Sequence, residues 1–133
     1  MTGEFPITGA RKAIFVSVTN ALAGRVADIP PNSPLSDTSR GFWHVNDDKI
    51  DQCELLVAVD QGFIRGIWEI DMEFMWHQMS LTAIPTRLTQ NMVVDPSRKY
   101  CRVKAAVLGE LKGKKLSSIH RGFRMYGPVR YNF

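Results

Sequence analysis

Arginines and aromatic rings are the side chains of this sequence best suited to chemistry with a ligand. Arg40, Phe42, Trp43, Arg65, Trp68, Trp76, Phe123, Arg124, Tyr126, Arg130 and Tyr131 make up the set. An aromatic face stacks on a base, and a guanidinium grips a phosphate through paired N–H bonds, so the mixture suits a nucleotide or a flipped-out base. The candidate ligand-binding residues are Arg40, Phe42, Trp43, Arg65, Trp68, Arg124, Tyr126 and Arg130. Each has a structural alternative. Trp43 and Trp68 are at home in a core, and Arg40, next to Gly41, can fix a loop by pairing with a carboxylate.

No catalytic constellation accompanies them. His44, His77 and His120 lack the close pairing that builds zinc sites, and no CxxC is present. A GxSxG elbow, a phosphate loop ending GK[ST] and a dinucleotide GxGxxG are all missing. Lys112 to Leu116, KGKKL, looks superficially like a phosphate loop but lacks the upstream glycine and the hydroxyl after lysine. Paired carboxylates occur at Asp47-Asp48, which suits a helix N-terminus, and at Glu69 with Asp71, which suits the polar face of a strand. The expectation is therefore a non-enzymatic protein with no metal and no cofactor.

The charge is unevenly spread. Through Pro96 there are seven Lys/Arg against twelve Asp/Glu, a net of −5; after it there are ten against one, a net of +9, giving the overall +4. Such a skew is a footprint for phosphate or nucleic acid, with a solvated basic face as the alternative. Arg98, Arg102, Lys104, Lys112, Lys114 and Lys115 are the candidate phosphate contacts.

A chain of 133 residues with 44% hydrophobic and 23% charged content reads as one domain, residues 1–133, with a loose leader over 1–10. No apolar run is long enough for a bilayer, and MTGEFPITGARK lacks the pattern of a secretory signal, so the expected setting is cytoplasmic. Cys53 and Cys101 fall in predicted strands, as buried small hydrophobes rather than a disulfide.

The elements that must position these residues centre on Arg40 to Met72. CELLVAVD and FIRGIWEID, joined at Gln61-Gly62, predict a β-hairpin with glycine supplying positive φ. The near-continuous apolar character of the first run predicts a strand covered on both faces, as in a small closed barrel. In the second, Phe63, Arg65, Ile67, Glu69 and Asp71 alternate with Ile64, Gly66, Trp68 and Ile70, and Gly66 marks a bend or a close approach. Gly41 to Val45 predicts an aromatic strand leading in, and Asn46 caps a helical turn. Arg11 to Thr19 predicts the first strand, with Ile14, Val16 and Val18 on one face. Asn20 to Asp28 predicts a short helix, and the proline-bearing stretch through Ser39 a loop. Later come a short strand at Asn91 to Val94, a half-exposed strand over Tyr100 to Leu108, one helical turn at Leu116 to Arg121, and an extended segment from Pro128. Glu73 to Ser80 reads as turn or loop. Phe74, Met75, Trp76, Met79 and Leu81 are apolar enough for the core or for a homo-oligomer contact.

Arg40-Gly41-Phe42-Trp43, Val57-Ala58-Val59 with Gly62 and Ile64, Trp68-Glu69-Ile70, and the ending from Gly113-Lys114 to Pro128-Val129-Arg130-Tyr131 resemble small bacterial and phage proteins of PUA-like type. That superfamily includes the EVE, ASCH and YTH domains, and the resemblance spans Arg11 to Tyr131. It implies an α+β fold, a small mixed β-barrel of about five or six strands with short flanking helices. It also implies a pocket that takes a base between aromatic side chains, with Trp43 and Trp68 in or behind the pocket and Arg40 as a polar contact. The GxKxxExR signature of the ASCH branch is absent. The function expected is nucleotide or nucleic-acid binding; the alternative is a phage-type protein that sequesters a small nucleotide signal against host defence.

Overall fold

The computed structural model describes residues 11–19, 34–80, 84, 94–119, 123–125 and 127–133. The expected leader, the helix at 20–28, most of the proline-rich loop, the strand at 91–94, His120 and the candidate Tyr126 lie wholly or mainly outside the described residues.

The class is α+β. Strands β1 (Ala13–Ser17), β2 (Leu55–Asp60), β3 (Phe63–Ile70), β6 (Val103–Ala106) and β7 (Val129–Tyr131) form one sheet in the order β6-β3-β2-β1-β7. β1 and β2 run parallel and the other pairs antiparallel. Strands β4 (His77–Gln78) and β5 (Lys99–Tyr100) form a separate small ribbon. Short helices α1 (Leu35–Ser39), α2 (Asp47–Ile50) and α3 (Leu116–Ile119) flank the sheet. Among the described residues no pairing joins β6 to β7, so the sheet is open at both edges.

The pleat sends alternate side chains to two apolar layers. Ala13 and Phe15 of β1 join Leu55, Val57 and Val59 of β2 on one face. Ile14 and Val16 join Leu56 and Ala58 on the other. All nine are at most 1% exposed, which is why β2 reads as a continuous apolar run: it is a central strand covered on both sides. Burying each of the larger side chains contributes about 1.5–3 kcal/mol. Cys53 and Cys101 are free thiols in the second layer, as expected of small hydrophobes.

The hairpin turns at Gln61 and Gly62, whose φ values of 51° and 86° give the twist that two antiparallel strands need. Strict alternation fails in β3. Ala58 pairs with Gly66 but Val59 with Ile64, so Arg65 is an extra residue, a β-bulge. Ile64 and Ile67, three apart, consequently both reach the first layer. Gly66 is the bend, and also a close approach: a Cβ there would lie 2.6 Å from Cη2 of Trp68.

Three other expectations are corrected. Gly41 to Val45 is not a strand; it makes one bridge, Trp43 with Lys99, before Asn46 opens α2. Tyr100 to Leu108 is split, because Cys101 donates its N–H to the Arg40 carbonyl and the next residues turn away to β3. The stretch before Arg40 is helical rather than loop from Leu35. Pro34 stands at the helix cap, where no N–H is required, and its carbonyl accepts from Thr38 at 3.0 Å. The cap at Asn46 is as expected, its Oδ1 accepting the Asp48 N–H at 3.0 Å. Trp76 and Met79 are buried, whereas Met75 is exposed.

Candidate functional site

After β6 the chain runs back along β3 but touches it at separated points. Val107 donates its N–H to the Ile67 carbonyl at 2.9 Å, and Gly113 donates to the Ile64 carbonyl at 2.7 Å. Between these two bonds the chain swings out through a 3₁₀ turn, Gly109–Leu111, while β3 bulges at Arg65. The two strands part there.

A cleft of about 300 Å³ occupies the parting. Trp68, laid over Gly66, forms an aromatic wall, and Ile64, Ile67, Ala106, Val107 and Leu108 supply apolar surface. Leu35 and Ser36 of α1 also line it. Arg65 and Lys112 bring positive charge; Arg65 also pairs with Asp60 at 3.7 Å. An aromatic face with cations beside it is an arrangement that holds a planar ring carrying an anionic group.

A second cleft, about 320 Å³, lies past Gly113. Gly62, Lys115, Leu116, Ser117, Phe123 and Arg124 line it. Phe123 is buried against Phe15 at a ring separation of 4.8 Å, and the Arg130 guanidinium sits 4.1 Å from the Phe123 ring centroid. Arg130 also donates through Nη1 to the Arg124 carbonyl.

The structure thus brings together Arg65, Trp68 and Lys112 at one cleft, and Lys115 and Arg124 at the other, with Arg130 stacked behind it. It places the lead-in residues elsewhere. Phe42 is buried with Met79, Ile84 and Tyr100. Trp43 packs on the second layer and donates Nε1–H to the Ser39 carbonyl at 2.7 Å. Arg40 takes its loop-fixing alternative, with Nε donating to Asp37 at 2.9 Å and Nη1 to the Cys101 carbonyl at 3.3 Å. Arg98 pairs with Asp95 at 3.5 Å and donates to the Phe42 carbonyl. Arg102 lies 4.1 Å from the centroid of the Phe74 ring. Lys104 and Lys114 are exposed. Leu35, Ser36, Ala106 and Ser117 carried no signal in the sequence, since small or aliphatic residues line a cleft only through the chain's path.

The carboxylate pairs have local duties. Asp47 and Asp48 sit in the first turn of α2. Asp71 Oδ1 accepts the N–H groups of Glu73 and Phe74, and Glu69 faces Arg11 at 3.5 Å. A Ser-His-Asp group does form, from Ser97, His44 and Asp95, but with the order of a turn rather than of a nucleophile. The Ser97 hydroxyl donates to Asp95 Oδ1 at 2.6 Å and stands 3.3 Å from His44 Nδ1, so its proton is held by the carboxylate. The Ser97 hydroxyl bond to Asp95, and then that of the Ser97 N–H, hold the Asp95 carboxyl below its ordinary pKa. Burial pushes the Cys53 thiol up to about 12 and that of Cys101 higher still.

Among the described residues no three or more His, Cys, Asp or Glu side chains gather as metal ligands, and no helix is long and apolar enough to cross a membrane. Comparison of the chain with protein-family models, with curated proteins and with solved structures finds no match.

Proposed function

We propose that this chain is a non-enzymatic, PUA-like, cytoplasmic module that binds a nucleotide or nucleic acid, holding one base in the cleft beside Trp68. The observation that carries the reading is the half-buried Trp68 ring standing on the wall of a cleft of about 300 Å³ with Arg65 and Lys112 next to it. A base stacks on the indole face and an attached phosphate meets the two cations. The sequestering of a small nucleotide is the second reading, favoured by the cleft volume, which lies at the lower end of pockets that hold small molecules.

Thermal unfolding against a panel of nucleotides, cyclic dinucleotides and short DNA and RNA, at low and moderate salt, tests both. A ligand that binds the folded state alone raises the melting temperature. Trp68→Ala is expected to weaken binding by about 1–3 kcal/mol, the worth of one base–aromatic stack. A folded Trp68→Ala protein that binds as tightly as the parent would remove the proposal.

A further inference from the structure

The two clefts share a wall made of charged chain. From Gly113 to Leu116 the backbone is laced to the hairpin tip. Gly113 N–H donates to the Ile64 carbonyl at 2.7 Å, Ile64 N–H to the Lys114 carbonyl at 2.9 Å, and Leu116 N–H to the Gly62 carbonyl at 2.9 Å. Phe63 bridges Lys115 between them. This strap is fixed in place, and its side chains are presented on a rigid support.

Lys112 lines the first cleft and Lys115 the second. Three residues apart, they are separated by at most about 10 Å of extended chain. Neighbouring bases in a stacked strand rise about 3.4 Å, and splayed ones reach further, so adjacent nucleotides fit that span. The second cleft shares the apolar and cationic lining of the first but not its open aromatic wall: Leu116 and Phe123 line it, with Arg130 already over the Phe123 ring, Lys115 and Arg124 bring charge, and Ser117 a hydroxyl. Lys112, Lys114 and Lys115 are all exposed. Glu110, in the turn beside the first cleft, is the one acid after Asp95 in the whole sequence, and Asp60 faces Arg65 at 3.7 Å, so the cations of the strap stand against two nearby acids.

A mononucleotide fills one cleft and leaves the other, beside Lys114 and Lys115, empty. A duplex keeps its bases stacked and paired, so they enter no pocket without being unstacked first. Building on the proposed base cleft at Trp68, we infer that the ligand is a single-stranded nucleic acid. It is bound over at least two nucleotides, one base in each cleft, and the linking phosphodiester crosses the strap from Lys112 to Lys115. The second cleft is a subsite of the same strand, and the strap between them is its backbone contact.

Tryptophan fluorescence titration with thymidine 5′-monophosphate, the thymidylate dinucleotide, deoxy- and ribo-hexanucleotides and a short duplex tests this at fixed salt. Affinity is expected to rise about tenfold or more from monophosphate to dinucleotide, because the second base binds at the high effective concentration set by the first. In the Lys115→Ala/Arg124→Ala variant the ratio of dinucleotide to monophosphate affinity should fall to near one. Equal affinity for monophosphate and dinucleotide in the parent protein would overturn the strand inference while leaving the base cleft standing, as would tighter binding of the duplex. A ratio that persists in the double variant would overturn the role of the second cleft, and no binding of any probe would remove both readings. The two hexanucleotides separate DNA from RNA as the source of the strand.

Discussion

Two cationic regions of this molecule are handled in opposite ways by the fold. Around the small ribbon each cation is tied to the protein itself: Arg40 to Asp37 at 2.9 Å, Arg98 to Asp95 at 3.5 Å, Lys99 to Asp47 at 2.8 Å, and Arg102 over the Phe74 ring. On the strap, Lys112, Lys114 and Lys115 are exposed and make no ion pair among the described residues. The sequence presents both as one basic C-terminal stretch with Arg40 apart. Physically they are latches in one place and a presented surface in the other, and the difference lies in whether a partner is within reach: an acid three residues away for Arg40 and Arg98, the distant Asp47 for Lys99, and the Phe74 ring for Arg102.

The sharpest way to break the latched region is at Gly41. An added Cβ would stand 2.5 Å from Tyr100 Cβ and 3.1 Å from its Cα, and backbone gives way poorly. Gly41→Ala is expected to cost about 3 kcal/mol. Denaturant titration measures the loss, and thiol alkylation at pH 8 gives a second view. The parent's Cys53 and Cys101 should resist the reagent because burial keeps them protonated, and the variant's should react. A Gly41→Ala protein of parental stability would show that the contact with Tyr100 is relieved cheaply.

Arg40→Met keeps the length of the side chain but removes the charge that satisfies Asp37 and the Cys101 carbonyl, both largely shielded from water. A loss of about 2 kcal/mol is expected, lowering the melting temperature by roughly 6–10 °C in a domain of this size. A change under about 0.5 kcal/mol would mean that Arg40 is not a latch, and would reopen its place as a ligand contact.

These two residues show what the sequence carries and what it hides. Hydrophobic spacing is local, so β1, the hairpin, the Asn46 cap and the double burial of β2 were legible, as was the α+β class. The Arg65 bulge was not, because one extra residue leaves the same apolar letters in β3 and changes only which face they meet. The partition of the arginines was hidden for a similar reason. Arg40 and Arg65 look alike in sequence, yet Arg40 is held at 2.9 Å by Asp37 in the preceding helix, whereas Arg65 meets Asp60 only at 3.7 Å and lines a cleft. That cleft depends on where the return segment leaves β3, a property of two strands together. Gly66 was the one local hint, and it pointed to Trp68.

Lys112→Ala/Lys114→Ala/Lys115→Ala tests the other half of the contrast, with a smaller effect on stability. Exposed lysines without ion pairs should change the unfolding free energy by under about 0.5 kcal/mol. Their effect should fall instead on binding: the slope of log affinity against log salt for a single-stranded hexanucleotide should drop by about 2, at roughly 0.7 per phosphate neutralised. A destabilised triple variant with an unchanged slope would make the strap a latch as well, and the contrast would fail.

The smallest effect belongs to Asp95, on the exposed rim of the latched region. Its carboxyl is held below the ordinary value first by the Ser97 hydroxyl and then by the Ser97 N–H, with His44 and Arg98 adding to them against a small opposing cost of burial. A folded-state value below the unfolded one means that Asp95 contributes stability above the unfolded pKa and loses it as pH falls through the folded one. The parent should therefore lose a little stability on acidification below about pH 4. Ser97→Ala removes the leading hydrogen bond but leaves the charges, so the Asp95 titration, followed by carboxyl NMR, should move up toward the ordinary aspartate range. The acid-range loss should shrink with it. If Asp95 titrates at the same pH in both proteins, the Ser97 hydroxyl is not what holds the carboxylate. Arg98 and His44 would then be the groups that fix this turn, making the latch electrostatic throughout rather than hydrogen-bonded at its edge.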